Sequence, residues 1–170
     1  MSGNSMTKIC LLSDSHGFLD QVLIPILNDC DEIWHAGDFG SMDVYNALVQ
    51  IGKPLRAVYG NIDNSELRLH LPLDLTWQVE GMKIFMTHIG GYPGRYTKRV
   101  KEILTEQKSN IYACGHSHIL KVIYDKNLNV LHLNPGACGK EGFHKIRTAL
   151  KFSIDGNEIK DMGIIELGLK

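Results

Sequence analysis

Five short polar turns, each following an apolar run, hold the residues that could do chemistry. They read Asp14-Ser15-His16, Gly37-Asp38, Gly60-Asn61-Ile62-Asp63, Thr87-His88 and Gly115-His116-Ser117-His118. Asp63 aside, they offer two aspartates, one asparagine and four histidines. Imidazole nitrogen mixed with carboxylate and amide oxygen suits borderline divalent cations such as Mn, Fe, Zn or Ni. Seven donors are too many for one tetrahedral site, whereas two cations sharing a bridging carboxylate would use the set economically. Such pairs, typically about 3.5–4 Å apart, clamp an in-line displacement at phosphorus and generate a hydroxide nucleophile near neutral pH. The constellation is that of a phosphoesterase.

Separate turns can share a site only if the elements between them bring them together. Residues 8–12 read as a buried strand, and residues 19–30 have helical apolar spacing despite Pro25. Residues 32–36 form a second strand. Residues 43–51 form a helix with Ser41 or Asp43 as N-cap and Gly52 as its stop. A third strand covers residues 55–59. This rhythm predicts a mainly parallel sheet with covering helices. Ligands then bind beyond the carboxyl ends of the strands, where all five turns lie.

After residue 75 the texture changes. Residues 76–79 and 83–86 suggest a hairpin joined by Glu80-Gly81-Met82. An amphipathic helix over residues 96–107 precedes a short strand at 111–114. The last third is strand-like, with turn signals at residues 125–127 and 155–157. The expectation is one α/β domain with two sheets over residues 1–170, of which residues 1–6 read as a flexible extension.

Composition narrows the function. The 170 residues carry 18 Lys and Arg against 19 Asp and Glu, a net charge of −1, with 44% hydrophobic residues. Such a balance argues against a protein that coats nucleic acid, since that affinity needs clustered cations; nucleic acid stays open only as a substrate. No run approaches the roughly 18 apolar residues of a membrane span, and residues 1–6 lack the pattern of a secretory signal. Cys10, Cys30, Cys114 and Cys138 form no C-x-x-C pair, which fits small buried residues in a reducing cytoplasm. Nucleotide-binding glycine loops and the serine-hydrolase elbow are absent.

Taken in order, Asp14-x-His16, Gly37-Asp38, Gly60-Asn61-x-Asp63, His88 and Gly115-His116-x-His118 resemble the calcineurin-like metallophosphoesterase superfamily. The likeness is greatest to its small bacterial and archaeal phosphodiesterase branch, and Asn134-Pro135-Gly136 resembles a loop of that branch. The resemblance implies an αββα sandwich of two sheets flanked by helices. It further implies that Asp14, His16 and His118 hold a first metal, that Asn61, His88 and His116 hold a second, and that Asp38 bridges them. The cofactors would be two divalent ions, manganese in the first place, whose bridging hydroxide attacks a small phosphoester. Related proteins often form dimers or tetramers, so the resemblance leaves a homo-oligomer of either size open for this chain. Alternatives within the resemblance are a phosphomonoesterase and a scaffold like the retromer subunit of this fold.

Two places depart from the superfamily pattern. Many members carry a proton-donating histidine directly after the motif asparagine, where this chain has Ile62. After His88 the common Gly-His is replaced by Ile89-Gly90-Gly91-Tyr92-Pro93-Gly94-Arg95. Arg95 reads either as a clamp on the substrate phosphate or as a solvated residue in a tight turn. Asp63 reads as orienting a ligand or capping a helix. His35 reads as packing beneath the site. His70, His132 and His144 have no motif partner and read as structural or exposed, and Lys98, Arg99 and Lys101 as a solvated helix face.

Overall fold

The computed structural model describes residues 6–170, so the expected N-terminal extension, apart from Met6, lies outside the described residues. Two five-stranded sheets form the frame. The first has strand order β10-β9-β1-β2-β3, from β1 (Thr7–Leu12), β2 (Glu32–His35), β3 (Leu55–Ala57), β9 (Ile146–Asp155) and β10 (Glu158–Leu169). The second has order β4-β5-β6-β8-β7, from β4 (Asp74–Val79), β5 (Met82–Thr87), β6 (Ile111–Ala113), β7 (Leu120–Asp125) and β8 (Val130–Pro135). Within each sheet three adjacent strands run parallel: β1, β2 and β3 in the first, β5, β6 and β8 in the second. Antiparallel partners complete both, so each sheet is mixed: the parallel strands fill one side of the first sheet, out to its edge at β3, and the centre of the second.

The period of two along β1 explains why its run is apolar on both faces. Ile9 and Leu11 face the second sheet, joining Trp34, Ile84, Met86, Ile111, Leu133 and Phe152 in the core between sheets. Cys10 and Leu12 face outward, under the helices α1 (Leu23–Asp29), α2 (Met42–Gln50) and α3 (Ser65–His70). Helix α4 (Lys98–Gln107) covers the other sheet, packing Val100 and Leu104 on Phe85 and Tyr112. The result is the helix–sheet–sheet–helix sandwich expected from the sequence.

Local chemistry sets the element ends. Pro25 sits in the first turn of α1, where its missing N–H costs no hydrogen bond, and the helix starts later than residue 19. Ser41 caps α2 by accepting from Val44 N–H. Helix α3 escapes the sequence reading because it is only six residues long. The β4–β5 turn sets Glu80 at φ 51° beside Gly81. All four cysteines are free and buried. Burial pushes Cys138 up to about 12, so its thiol stays protonated and unreactive.

Candidate metal centre

The five polar turns meet at one end of the sandwich, beyond the carboxyl ends of β1, β2 and β3 in one sheet and of β5 and β6 in the other. Hydrogen bonds across the sheets lock them together. His116 N–H donates to Asp14 Oδ2 at 3.1 Å, and His88 Nδ1 lies 2.7 Å from the Ala36 carbonyl. Two groups of potential ligand atoms result, Asp14 with His16 and His118, and Asp38 with His88 and His116, each group within 4.8 Å. Asp38 faces both groups: its Oδ2 lies 3.5 Å from His16 Nε2 and 3.2 Å from His88 Nε2. Asn61 Oδ1 lies 3.1 Å from His88 Nε2 and 2.9 Å from His116 Nδ1.

The backbone is bent to make this possible. Of the nine non-glycine residues with positive φ among the described residues, Asp14, His16, Asp38, His116 and His118 are five, with φ between 46° and 70°. Left-handed backbone is disfavoured for L-residues and gathers where a side chain must be aimed. The glycines beside these turns are needed for space. A Cβ on Gly60 would stand 1.9 Å from Asp38 Oδ1, and one on Gly37 within 2.7 Å of the His88 ring.

Four of the ligand candidates, Asp14, Asp38, His88 and His118, are oriented by a partner behind them. Ser13 Oγ–H donates to Asp14 Oδ2 at 2.7 Å, leaving Oδ1 toward the site, and Ile62 N–H holds Asp38 Oδ1 at 3.1 Å. A carbonyl only accepts, so His88 carries its hydrogen on Nδ1 and aims Nε2 at Asp38 and Asn61. His118 is set by a relay: His144 Nε2–H donates to Gly139 O at 2.9 Å, and His144 Nδ1 accepts from His118 Nδ1 at 3.2 Å. Burial holds His144 below its ordinary pKa and keeps that ring neutral. His118 Nε2 therefore turns toward Asp14 Oδ1, 3.2 Å away.

The sequence separates His144 from His118 by 26 residues and gives no local sign that the two rings meet. Asp63 does not cap α3, and its carboxylate contacts two turns and, among the described residues, no ligand candidate directly. Its Oδ1 accepts from Gly40 N–H at 2.9 Å and its Oδ2 from Gly60 N–H at 2.8 Å, stapling two turns, while Asn64 caps α3. Asn134 Nδ2 donates to Gly115 O at 3.0 Å and steadies the turn that bears His116. His35, fully buried and stacked on Phe39, donates from Nε2 to Ser15 Oγ and accepts from Gly37 N–H. Burial lowers its pKa to about 3, so it supports the turn as a neutral ring. Arg95 is exposed in a turn whose N–H bonds Tyr92 O.

The electrostatics suit cations. Burial pushes Asp14 upward, but the His118 and His16 rings that face it, the nearby His88 and the Ser13 hydroxyl outweigh it and hold the carboxyl well below its usual range. Asp38 follows the same balance, with burial opposed by His88 and Ile62 N–H. Asp14 Oδ1 and His16 Nε2 are buried without a hydrogen-bond partner. Orphaned polar atoms of this kind are costly and call for a ligand. A carboxylate oxygen and an imidazole nitrogen facing one another fit a divalent cation.

With ordered motifs converging in this geometry, comparison with known proteins decides the family. Residues 7–157 match the calcineurin-like phosphoesterase superfamily domain. The chain belongs to that superfamily. A phosphodiesterase of Methanocaldococcus jannaschii is 25% identical over 146 residues, covering 77% of this chain and 84% of its own. Among solved structures, an archaeal phosphodiesterase matches with a TM-score of 0.74 and 24% identity over 94% of this chain and 99% of its own. Vps29 of Chaetomium thermophilum matches with a TM-score of 0.76 and 13% identity over 96% and 99%. These two likenesses establish that the superfamily's fold is shared.

Proposed function

We propose that this superfamily member is a phosphodiesterase working with two divalent cations, manganese foremost. Asp14, His16 and His118 would hold one, Asn61, His88 and His116 the other, with Asp38 between them. The observation that carries the reading is Asp38 Oδ2 facing His16 Nε2 and His88 Nε2 together. When bound, such a pair supplies charge against the phosphoryl oxygens and acidifies water to near-neutral pKa.

The chain's own residues set the rest. Ser13, Ile62 N–H, Ala36 O and His144 hold the donor atoms in one arrangement, so little reorganisation accompanies binding. Ile62 occupies the place of the proton donor and is 44% exposed, a side chain with no proton to give. General acid catalysis contributes about 10²–10⁴ in rate, so substrates with good leaving groups are favoured.

The test is turnover of an aryl phosphodiester and an aryl phosphomonoester by purified protein, after chelation and again after adding Mn²⁺. We expect Mn²⁺-dependent hydrolysis, faster for the diester. Faster monoester turnover would make the chain a phosphomonoesterase. No metal-dependent turnover of either would favour a scaffold role, in keeping with the fold it shares with Vps29.

A further inference from the structure

A cleft of about 260 Å³ opens beside the second donor group, lined by Asn61 and His88 together with Tyr59, Arg68, Leu73 and Ile89. A phosphoester with its phosphorus at the donor atoms would extend one substituent along this wall. Tyr59, Leu73 and Ile89 give it apolar surface; Leu73 is 48% and Ile89 42% exposed. Such exposure beside a polar centre suits an organic group more than water.

Arg68 gives the cleft its charge. Its Nε–H donates to Asp63 O at 2.8 Å and its Nη2 to Asn61 O at 3.3 Å, and the guanidinium lies 4.7 Å from the Tyr59 ring centroid. These partners are neutral, and no carboxylate lies within ion-pairing distance of Arg68 among the described residues. Arg99, the other cation of the cleft, is ion-paired with Asp74 and donates to Thr87 Oγ1 at 3.2 Å. One arginine is thus neutralised, while the other is fixed on backbone carbonyls and uncompensated. A guanidinium so held is preorganised for an oxyanion, since its planar fork matches carboxylate and phosphate.

We infer that this cleft binds the ester substituent of the substrate and that Arg68 selects substituents carrying a second negative group. The inference rests on the phosphodiesterase reading and deepens it. It assigns the substrate class as phosphodiesters with an organic, anionic substituent, in place of simple neutral esters.

The experiment compares 4-nitrophenyl 3-carboxyphenyl phosphate with 4-nitrophenyl phenyl phosphate on the Mn²⁺-loaded protein. The expected preference in kcat/KM is about tenfold for the carboxylated ester, the factor that ~1.4 kcal/mol supplies. Arg68→Gln should erase it. Leu73→Glu, which keeps Arg68 and sets a negative charge in the cleft, should also reduce it. Equal turnover of both esters by the wild type, or a preference that survives Arg68→Gln, overturns the inference and leaves the phosphodiesterase reading standing. If neither ester turns over, that reading fails, and binding to metal-free protein decides the inference separately. Titration with 3-carboxyphenyl phosphate should then shift the Arg68 Nε–H resonance in an NMR spectrum, and an unmoved resonance overturns it.

Discussion

At His118 a single ring nitrogen decides whether the side chain can act as a ligand. The Gly139 carbonyl fixes the His144 tautomer, and His144 in turn fixes that of His118. Removing the relay leaves His118 free to turn its protonated nitrogen inward. His144→Ala is therefore expected to weaken divalent-cation affinity by about 10–100-fold, the usual cost of losing a ligand's hydrogen-bond partner. Calorimetric titration with Mn²⁺ checks it; unchanged affinity would remove His144 from the site. Sequence reading singles out the candidate ligands because their motifs are local. It misses His144 because the relay joins positions far apart in the chain.

The turns between elements carry the strain of the site, and Asp63 shows how they are held. Its two oxygens satisfy the Gly40 and Gly60 N–H groups, one from the turn after β2 and one from the turn after β3. Asp63→Ala leaves the buried Gly60 N–H without that acceptor, while the N–H of the exposed Gly40 can turn to water. A buried unsatisfied group costs about 1–3 kcal/mol, so urea unfolding should show a loss of that size. Turnover should fall as well, since the same turns bear Asp38 and Asn61. A stability change below about 0.5 kcal/mol would mean the staple is not structural. The glycine before Asn61 is legible in sequence, but its reason, the Asp38 carboxylate packed where a Cβ would stand, is a contact between two strands' ends.

At the scale of the whole sandwich, stability is expected to depend on pH and on cations. His132 is buried on β8, its ring packed against Tyr112 of β6 with Lys121 of β7 nearby, and its Nδ1 has no partner. Burial foremost, then the Lys121 charge, lowers its pKa to about 4. The unfolded chain, with an ordinary value near 6.5 (roughly), binds the proton more readily than the fold. Between pH 6.5 and 4 stability therefore rises with pH: this contribution is complete above the unfolded value and is lost as pH falls toward the folded one. The contribution is about 3 kcal/mol at most. His132→Gln should flatten the dependence of unfolding free energy on pH across that window. If the two profiles run parallel, another group is responsible. Cations that bind only the folded chain stabilise it by mass action, about 2.7 kcal/mol at a hundred times Kd. Mn²⁺ should therefore raise the Tm of the chelated protein, and an unmoved Tm would count against the candidate metal centre. Cations held at the candidate centre would bring local positive charge to a near-neutral chain, and a phosphate would then be drawn there without a basic surface.

The sequence by itself determined the run of strands and of the longer helices, because apolar periodicity and turn residues are local signals; the six-residue α3 lay below that signal. It also determined which side chains could donate to a metal, because donor chemistry belongs to the residue type. The sandwich and its site were legible through ordered motifs such as Asp14-x-His16 and Gly115-His116-x-His118. Only the tertiary structure decided that Asp38 faces both donor groups, that Asp63 staples turns instead of capping α3, and that His144 stands behind His118. It alone brought Arg68, Tyr59 and Ile89 around one cleft. Each is a matter of a few ångströms between residues distant in the chain, fixed by how two sheets pack and bend their strand ends together.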